Sequence, residues 1–178
     1  DGESGFYCPN QDGCAPQIIG KLEHFVSRKA MNIETLGPER LELLYKSGLV
    51  ENVADLYALQ REQLIGLGDM STIQEKGADN ILSALAESKQ VPFERVLFAL
   101  GIRFVGEVGA KKLARYFKNM PALMNASVDE LASVEDIGTK TAEVVRAFFS
   151  DPRHIDMVQR LADAGLQMEG QSQTINNR

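Results

Sequence analysis

An all-α fold is predicted for this 178-residue chain, and three observations predict it. Apolar residues recur at helical spacing, beginning with Ile18, Leu22, Phe25 and Val26. No run of strict apolar–polar alternation is long enough to mark a sheet. The chain also repeats itself. Four segments share a frame of an apolar residue, a turn residue, two or three variable residues, and a small or apolar residue opening a helix. They read Leu36-Gly37-Pro38-Glu39-Arg40-Leu41, Ile73-Gln74-Glu75-Lys76-Gly77-Ala78, Val105-Gly106-Glu107-Val108-Gly109-Ala110 and Ile137-Gly138-Thr139-Lys140-Thr141-Ala142. Their second positions, 37, 74, 106 and 138, are offset by 37, 32 and 32 residues. Each follows a short helical burst and precedes a longer one, which is helix, tight hairpin, helix, four times over.

In chain order, residues 1–16 are rich in Gly, Asp, Asn and Pro around Cys8-Pro-Asn-Gln-Asp-Gly-Cys14, the composition of turns. Helical patterning starts at Gln17. Leu41, Leu44 and Tyr45 form the next burst, and Ile81, Leu82 and Leu85 another. Further bursts are Val96, Leu97 and Leu100; Leu113 and Phe117; Val144, Val145, Phe148 and Phe149; and Ile155, Val158 and Leu161. About ten short helices are expected. Asn52 ahead of Val53-Ala54-Asp55 reads as a helix start, and Ser127/Glu130 and Thr72/Glu75 read as capping boxes. Pro38 and Pro92 suit first-turn positions. After Met168 the chain is polar and aperiodic, so residues 169–178 read as a linker or frayed tail.

Composition bounds the function. Apolar residues make up 44% of the chain, enough for a packed core. No apolar run approaches a membrane span, so no membrane partner is expected. No leader is recognised, and the start at Asp1 reads as part of something longer. Two cysteines fit a reducing compartment better than a disulfide framework. The net charge of −6 argues against nucleic-acid binding through bulk charge.

The hairpins offer a way around that balance. Glycine there lets the backbone take positive φ and come close to a partner. The following helix opens with unpaired N–H groups and the positive end of its dipole, a phosphate seat that requires no net basic charge. The expected contact residues are Gly37, Gly77, Gly106, Gly109 and Gly138, with Thr139 and Thr141 in the fourth repeat. A cation stands near each seat: Arg40, Lys76, Lys111 with Lys112, and Lys140. Arg28, Lys29 and Arg103 flank the hairpins and reach either phosphate or solvent. The bland alternative is that these glycines only end one helix and start the next; four copies in register favour phosphate binding. The hairpins are unequal. Thr35, Thr72, Phe104 and Asp136 stand where an ideal hairpin has its first glycine, and Gln74 replaces the second one in hairpin two. Hairpin two is thus the most readily structural, and Asp136 helps only if it turns away. The aromatics Phe93, Phe98, Phe104, Phe117, Phe148 and Phe149 sit mostly at core spacing, although base stacking is the other use for such rings. His24, between Leu22 and Phe25, reads as a packing residue rather than a metal ligand. His154 carries no reading.

The stretches Arg28-Lys-Ala-Met31-Asn-Ile33-Glu-Thr-Leu-Gly37 and Leu100-Gly-Ile-Arg103-Phe-Val-Gly-Glu107 resemble the bacterial NAD-dependent DNA ligases. So do Cys8-Pro-Asn through Cys14-Ala-Pro-Gln17, Ala54-Asp-Leu-Tyr57 and Glu75-Lys-Gly-Ala-Asp-Asn80, and the resemblance runs from about Phe6 to Met168. It implies four tandem helix-hairpin-helix motifs behind a partial zinc finger. Residues 1–25 would hold the finger's second half and a helix start, and residues 26–168 the DNA-binding domain. It further implies nicked double-stranded DNA as partner, roles in replication and repair, and a bacterial, cytoplasmic, nucleoid-associated setting. NAD and magnesium would act only in the parent enzyme, whose adenylation and OB domains lie outside this chain, so no catalytic residue is expected here. Cys8 and Cys14 would be two of four zinc ligands; a closed structural site needs all four. Two other classes compete. A base-excision glycosylase would use Lys140 as nucleophile with Asp151 or Asp156, but carries one such hairpin rather than four. A protein-interaction module on the same fold would dispense with the hairpin cations, which are present.

Overall fold

The computed structural model describes residues 15–68 and 72–170. Among them are ten α-helices and one 3-10 helix. They run α1 (Ala15–Val26), α2 (Pro38–Lys46), the 3-10 helix (Val53–Ala58), α3 (Arg61–Leu64), α4 (Glu75–Ser88), α5 (Phe93–Ala99), α6 (Glu107–Phe117), α7 (Met120–Met124), α8 (Val128–Ala132), α9 (Thr139–Phe148) and α10 (Pro152–Ala164). The all-helical expectation holds for these residues, where the extended pairing is one isolated bridge between Asn119 and Glu169.

The element boundaries follow from local chemistry. Asn52 accepts the amides of Ala54 and Asp55 while Asp55 accepts that of Asn52, a reciprocal cap that starts the 3-10 helix. Ser127 and Glu130 do the same for α8. The expected Thr72/Glu75 box is absent. The N-cap of α4 is Gln74, and the Thr72 hydroxyl accepts the Gln74 side-chain amide at 2.9 Å instead. Pro38 opens α2 as expected, whereas Pro92 is the N-cap of α5 and not a first-turn residue.

The helices pack in successive pairs, α1 with α2, α3 with α4, α5 with α6 and α8 with α9. Their apolar stripes meet in one continuous core in which Leu22, Phe25, Leu41, Leu44, Leu64, Ile81, Val96, Leu113, Leu131, Val145 and Leu161 are shut off from solvent. Each such side chain contributes about 1.5–3 kcal/mol on burial. Polar ties cross between pairs. His24 Nε2 lies 2.8 Å from the Phe98 carbonyl, and its ring packs on the Phe98 ring, the packing role expected of it. The Tyr57 hydroxyl meets the Ser88 hydroxyl at 2.6 Å, and burial holds that phenol up at about 12. Arg160 reaches back 105 residues to Asp55, donating at 2.7 Å. The polar stretch after Met168 is ordered as far as it is described: Met120 N–H donates to the Met168 carbonyl and Gly170 N–H to the Lys118 carbonyl.

Candidate nucleic-acid interface

The four hairpins converge on one local design. The second helix of each pair, α2, α4, α6 and α9, begins at Gly37, Gln74, Gly106 and Gly138, all in extended backbone, and none of the four supplies a side-chain cap. Elsewhere the chain does cap its helices. Asn52, Asn119, Ser127 and Asp151 each accept a first-turn amide with a side-chain oxygen. Pro92, which has no such oxygen, leaves α5 uncapped as well, and the Gln60 side chain makes no cap hydrogen bond at α3. At the hairpins the first-turn amides and the positive helix end are therefore left for an acceptor from outside.

The glycines serve this differently from the expectation. Gly37, Gly106 and Gly138 have φ of −81°, −91° and −85°, which any residue adopts. The left-handed turn is made instead by the residues two positions earlier, Phe104 and Asp136, both at φ 72°. A side chain at Gly37, Gly106 or Gly138 would meet no atom of the protein within 4 Å. The missing Cβ thus relieves no internal clash and no strain; it clears space on the outer side of the turn. Gly77 and Gly109 behave otherwise. A Cβ at Gly77 would stand 3.3 Å from Arg40 Nη2 and 3.4 Å from Ile73, and one at Gly109 would touch Ile137 and Val105. Both lie where neighbouring elements pack closely.

The cations divide likewise. Arg40 is half-buried, donates to the Thr35 carbonyl at 3.0 Å and leans against Gly77, linking hairpins one and two. Lys112 spans from α6 to hairpin four, 3.0 Å from Glu135 and 3.5 Å from Asp136. The hydrogen bond to Glu135 raises its pKa above the ordinary lysine value. Asp136 is drawn to Lys112, so its charge is partly neutralised beside the fourth seat. Lys76, Lys111, Arg103 and Lys140 are exposed. Lys111 lines a cleft with Arg28, Lys29 and Arg95, along with Glu94 and Glu107. Arg95 shapes that cleft by donating to the carbonyls of Arg28 and Lys29, at 2.7 and 3.2 Å. Arg103 and Lys140, from hairpins three and four, each lie over the ring of Phe104, 5.0 and 5.3 Å from its centre.

The seats differ in their own acidity. Glu39, Glu75 and Glu107 lie in the first turns of α2, α4 and α6, whereas α9 opens with Thr139-Lys140-Thr141 and no acid. Glu75 is 3.8 Å from Arg61 and Glu107 is 4.0 Å from Lys29, contacts that offset part of their charge. The α9 start is thus the one of the four without an acid in its own first turn, although Glu135 and Asp136 precede it and share Lys112. Sequence reasoning missed Arg95, Glu135 and the exposed Phe104. Only Phe104 had a local signal, its place two residues before the N-cap glycine, where the backbone turns left-handed.

Cys8 and Cys14 lie outside the described residues. Among the described residues no three His, Cys, Asp or Glu side chains stand together as a metal site, and His24, the one candidate third ligand, is held at the Phe98 carbonyl. Nor is any described helix long and apolar enough to cross a membrane.

Comparison with known proteins matches residues 95–158 to the helix-hairpin-helix motif. The chain is 51% identical over 169 residues to a protein of Phocaeicola vulgatus named DNA ligase, covering 95% of this chain and 25% of that protein. It is 48% identical over 178 residues to a DNA ligase of Christiangramia forsetii, covering 100% of this chain and 26% of the relative. A DNA ligase of Flavobacterium psychrophilum is 50% identical over 168 residues, 94% of this chain and 25% of its own length. The chain thus spans about a quarter of the length of these relatives.

Proposed function

From the premise that this chain is homologous to a region of bacterial DNA ligases, about a quarter of their length, we propose that it grips nicked duplex DNA through phosphate seats while other parts of an NAD-dependent parent enzyme seal the nick. The four helix pairs are four tandem helix-hairpin-helix motifs, two of which fall in the matched residues 95–158. One observation carries the reading. All four second helices start without a side-chain cap, and at three of them the glycine's outer side is open space. A helix that only turned a corner would gain a few tenths of a kcal/mol from a Ser or Asp in place of the glycine, and the chain places such caps at Asn52, Asn119, Ser127 and Asp151.

Backbone amides of this kind hold phosphates without reading bases, so binding is independent of sequence. The overall charge of −6 makes long-range steering poor, and the few exposed cations imply a shallow dependence of log affinity on log salt. Hairpins three and four contribute most. Their glycine seats are open, α9 lacks a first-turn acid, and Arg103 and Lys140 stand together there. Adenylation, NAD and magnesium belong to the parent enzyme, and Cys8 and Cys14 to a zinc finger shared with residues beyond this chain.

The glycosylase alternative gains no support at Asp151, one of its two candidate partners. Asp151 is engaged as the cap of α10 and by Arg153 at 2.8 Å, contacts that hold its carboxyl down at about 2. The test of the proposal is a titration of the chain with nicked and intact duplex at several salt concentrations. Saturable binding with a shallow salt slope is expected. Absence of binding to either duplex at low salt overturns it.

A further inference from the structure

Hairpin three presents an apolar tip that phosphate binding does not require. Phe104 is 50% exposed although it carries one of the largest apolar side chains in the sequence. It also adopts φ 72°, a left-handed conformation that is uncommon outside Gly, Asn and Asp and an outlier for a bulky side chain. Hairpin four makes the same turn with Asp136, so the fold does not demand an aromatic there. Stability gives little reason for a phenylalanine at such a place: the backbone is strained, the ring gains little burial, and cation–π contacts at an exposed site add little. Val108, two residues beyond Gly106 as Phe104 is two before it, is 60% exposed. Two of the five large apolar side chains that the described residues expose therefore flank one phosphate seat.

The surroundings say what such a tip would meet. Arg103 and Lys140 lie over the Phe104 ring at 5.0 and 5.3 Å, so the ring stands among phosphate-binding groups from two hairpins. On a DNA strand the surface between neighbouring phosphates includes the carbon face of the deoxyribose, which is apolar, beside the base edges. We propose that Phe104, assisted by Val108, packs against the deoxyribose and base edges between the phosphates held by hairpins three and four. The contact supplies a salt-independent part of DNA affinity to a chain whose net charge is −6. It rests on the DNA-binding reading above and adds to it a residue that touches the DNA between its phosphates.

The test compares the parent chain with Phe104→Gly and Phe104→Leu in titrations of nicked duplex across a range of salt. Gly suits the left-handed backbone, so that variant folds with a thermal midpoint at or above the parent's. Phe104→Gly is expected to weaken binding about ten-fold, the scale of a lost aromatic contact with nucleic acid, at every salt concentration and with an unchanged log–log slope. Phe104→Leu, which keeps apolar bulk, is expected to fall between the two. If folded Phe104→Gly binds as tightly as the parent, the proposal is overturned while the phosphate seats stand. If its loss comes with a shallower slope, the proposal is also overturned, because the ring would then act only by holding Arg103 and Lys140 in place. If the parent itself does not bind, the DNA-binding reading fails and takes this contact with it.

Discussion

A serine placed at Gly106 or Gly138 should make the protein more stable and a worse DNA binder at once. Both positions have extended backbone that serine adopts without strain, and a Cβ there meets no atom of the protein within 4 Å. The hydroxyl would accept a first-turn amide, as Ser127 does at α8. Serine exceeds glycine as an N-cap by a few tenths of a kcal/mol, and removing a glycine from the unfolded chain adds about 0.4–1 kcal/mol. The sum is roughly 1 kcal/mol per site, which raises Tm by about 2–4 °C in a chain of this size. The same hydroxyl occupies the seat. Each hydrogen bond to a charged partner is worth about 1.5–3 kcal/mol, so loss of one seat weakens Kd by roughly ten- to a hundred-fold. No cation is removed, so the salt slope stays as in the parent. Thermal melts and fluorescence anisotropy with a labelled nicked duplex read both effects on the same samples. Gln74→Ser is the control, expected to stabilise α4 with little effect on binding. Should Gly106→Ser and Gly138→Ser both gain stability and bind like the parent, the open helix starts are corners and not phosphate seats.

Lys140→Ala should weaken binding uniformly across sequences and reduce the salt slope by about one; Lys112→Ala, whose ammonium already pairs with Glu135 and Asp136, should change the slope less, and equal changes would show that this ion pair opens on DNA. The Arg153 guanidinium and backbone amide hold the Asp151 carboxyl down at about 2, below the ordinary aspartate value. A lowered folded value contributes stability that is present above about pH 4 and fades as pH falls through about 2. The Tm advantage of the parent over Asp151→Asn should therefore shrink across that window, and a constant difference would contradict it. Tyr57→Phe removes the hydroxyl contact with Ser88, whose own bond to the Leu85 carbonyl remains. A loss of about 1 kcal/mol in denaturant unfolding is expected, and no loss would mean that the contact contributes nothing net. With two cysteines in the sequence, the purified chain should hold well under one zinc by atomic absorption; a stoichiometric metal would require ligands from elsewhere.

What the sequence made legible was local. The caps at Asn52 and Ser127, the first turn at Pro38 and the core stripe of Leu22 and Phe25 each depend on residues within a few positions, and the structure places them as expected. The four-fold frame located the starts of α2, α4, α6 and α9 because an apolar residue ahead of a turn leaves a fixed pattern. What escaped was non-local or hidden in backbone angles. Lys112 meets Glu135 from 23 positions away, and Arg95 caps carbonyls 66 and 67 positions back. Gly77 and Gly109 carry the same letter as Gly106, yet their Cβ directions point at packed neighbours and not at open space. Phe104 matched core spacing because periodicity records position along the chain; the left-handed turn then swings the ring outward. Residues 168–170, where the apolar pattern stops, pair through the backbone with Lys118 and Met120, which composition does not encode.

The carboxylate of Asp55 has a consequence for how the chain is made. One of its oxygens accepts the amides of Glu51 and Asn52, contacts available as soon as that turn exists, while the other receives Arg160 from 105 residues downstream. At synthesis rates of about 5–20 residues per second, roughly 5 to 20 seconds separate the two halves of that interaction on the ribosome. During that interval the 3-10 helix is locally capped, but the surface it later shares with α10 is uncovered. The early hairpins therefore spend that interval in a half-fastened state, until α10 emerges and covers the 3-10 helix.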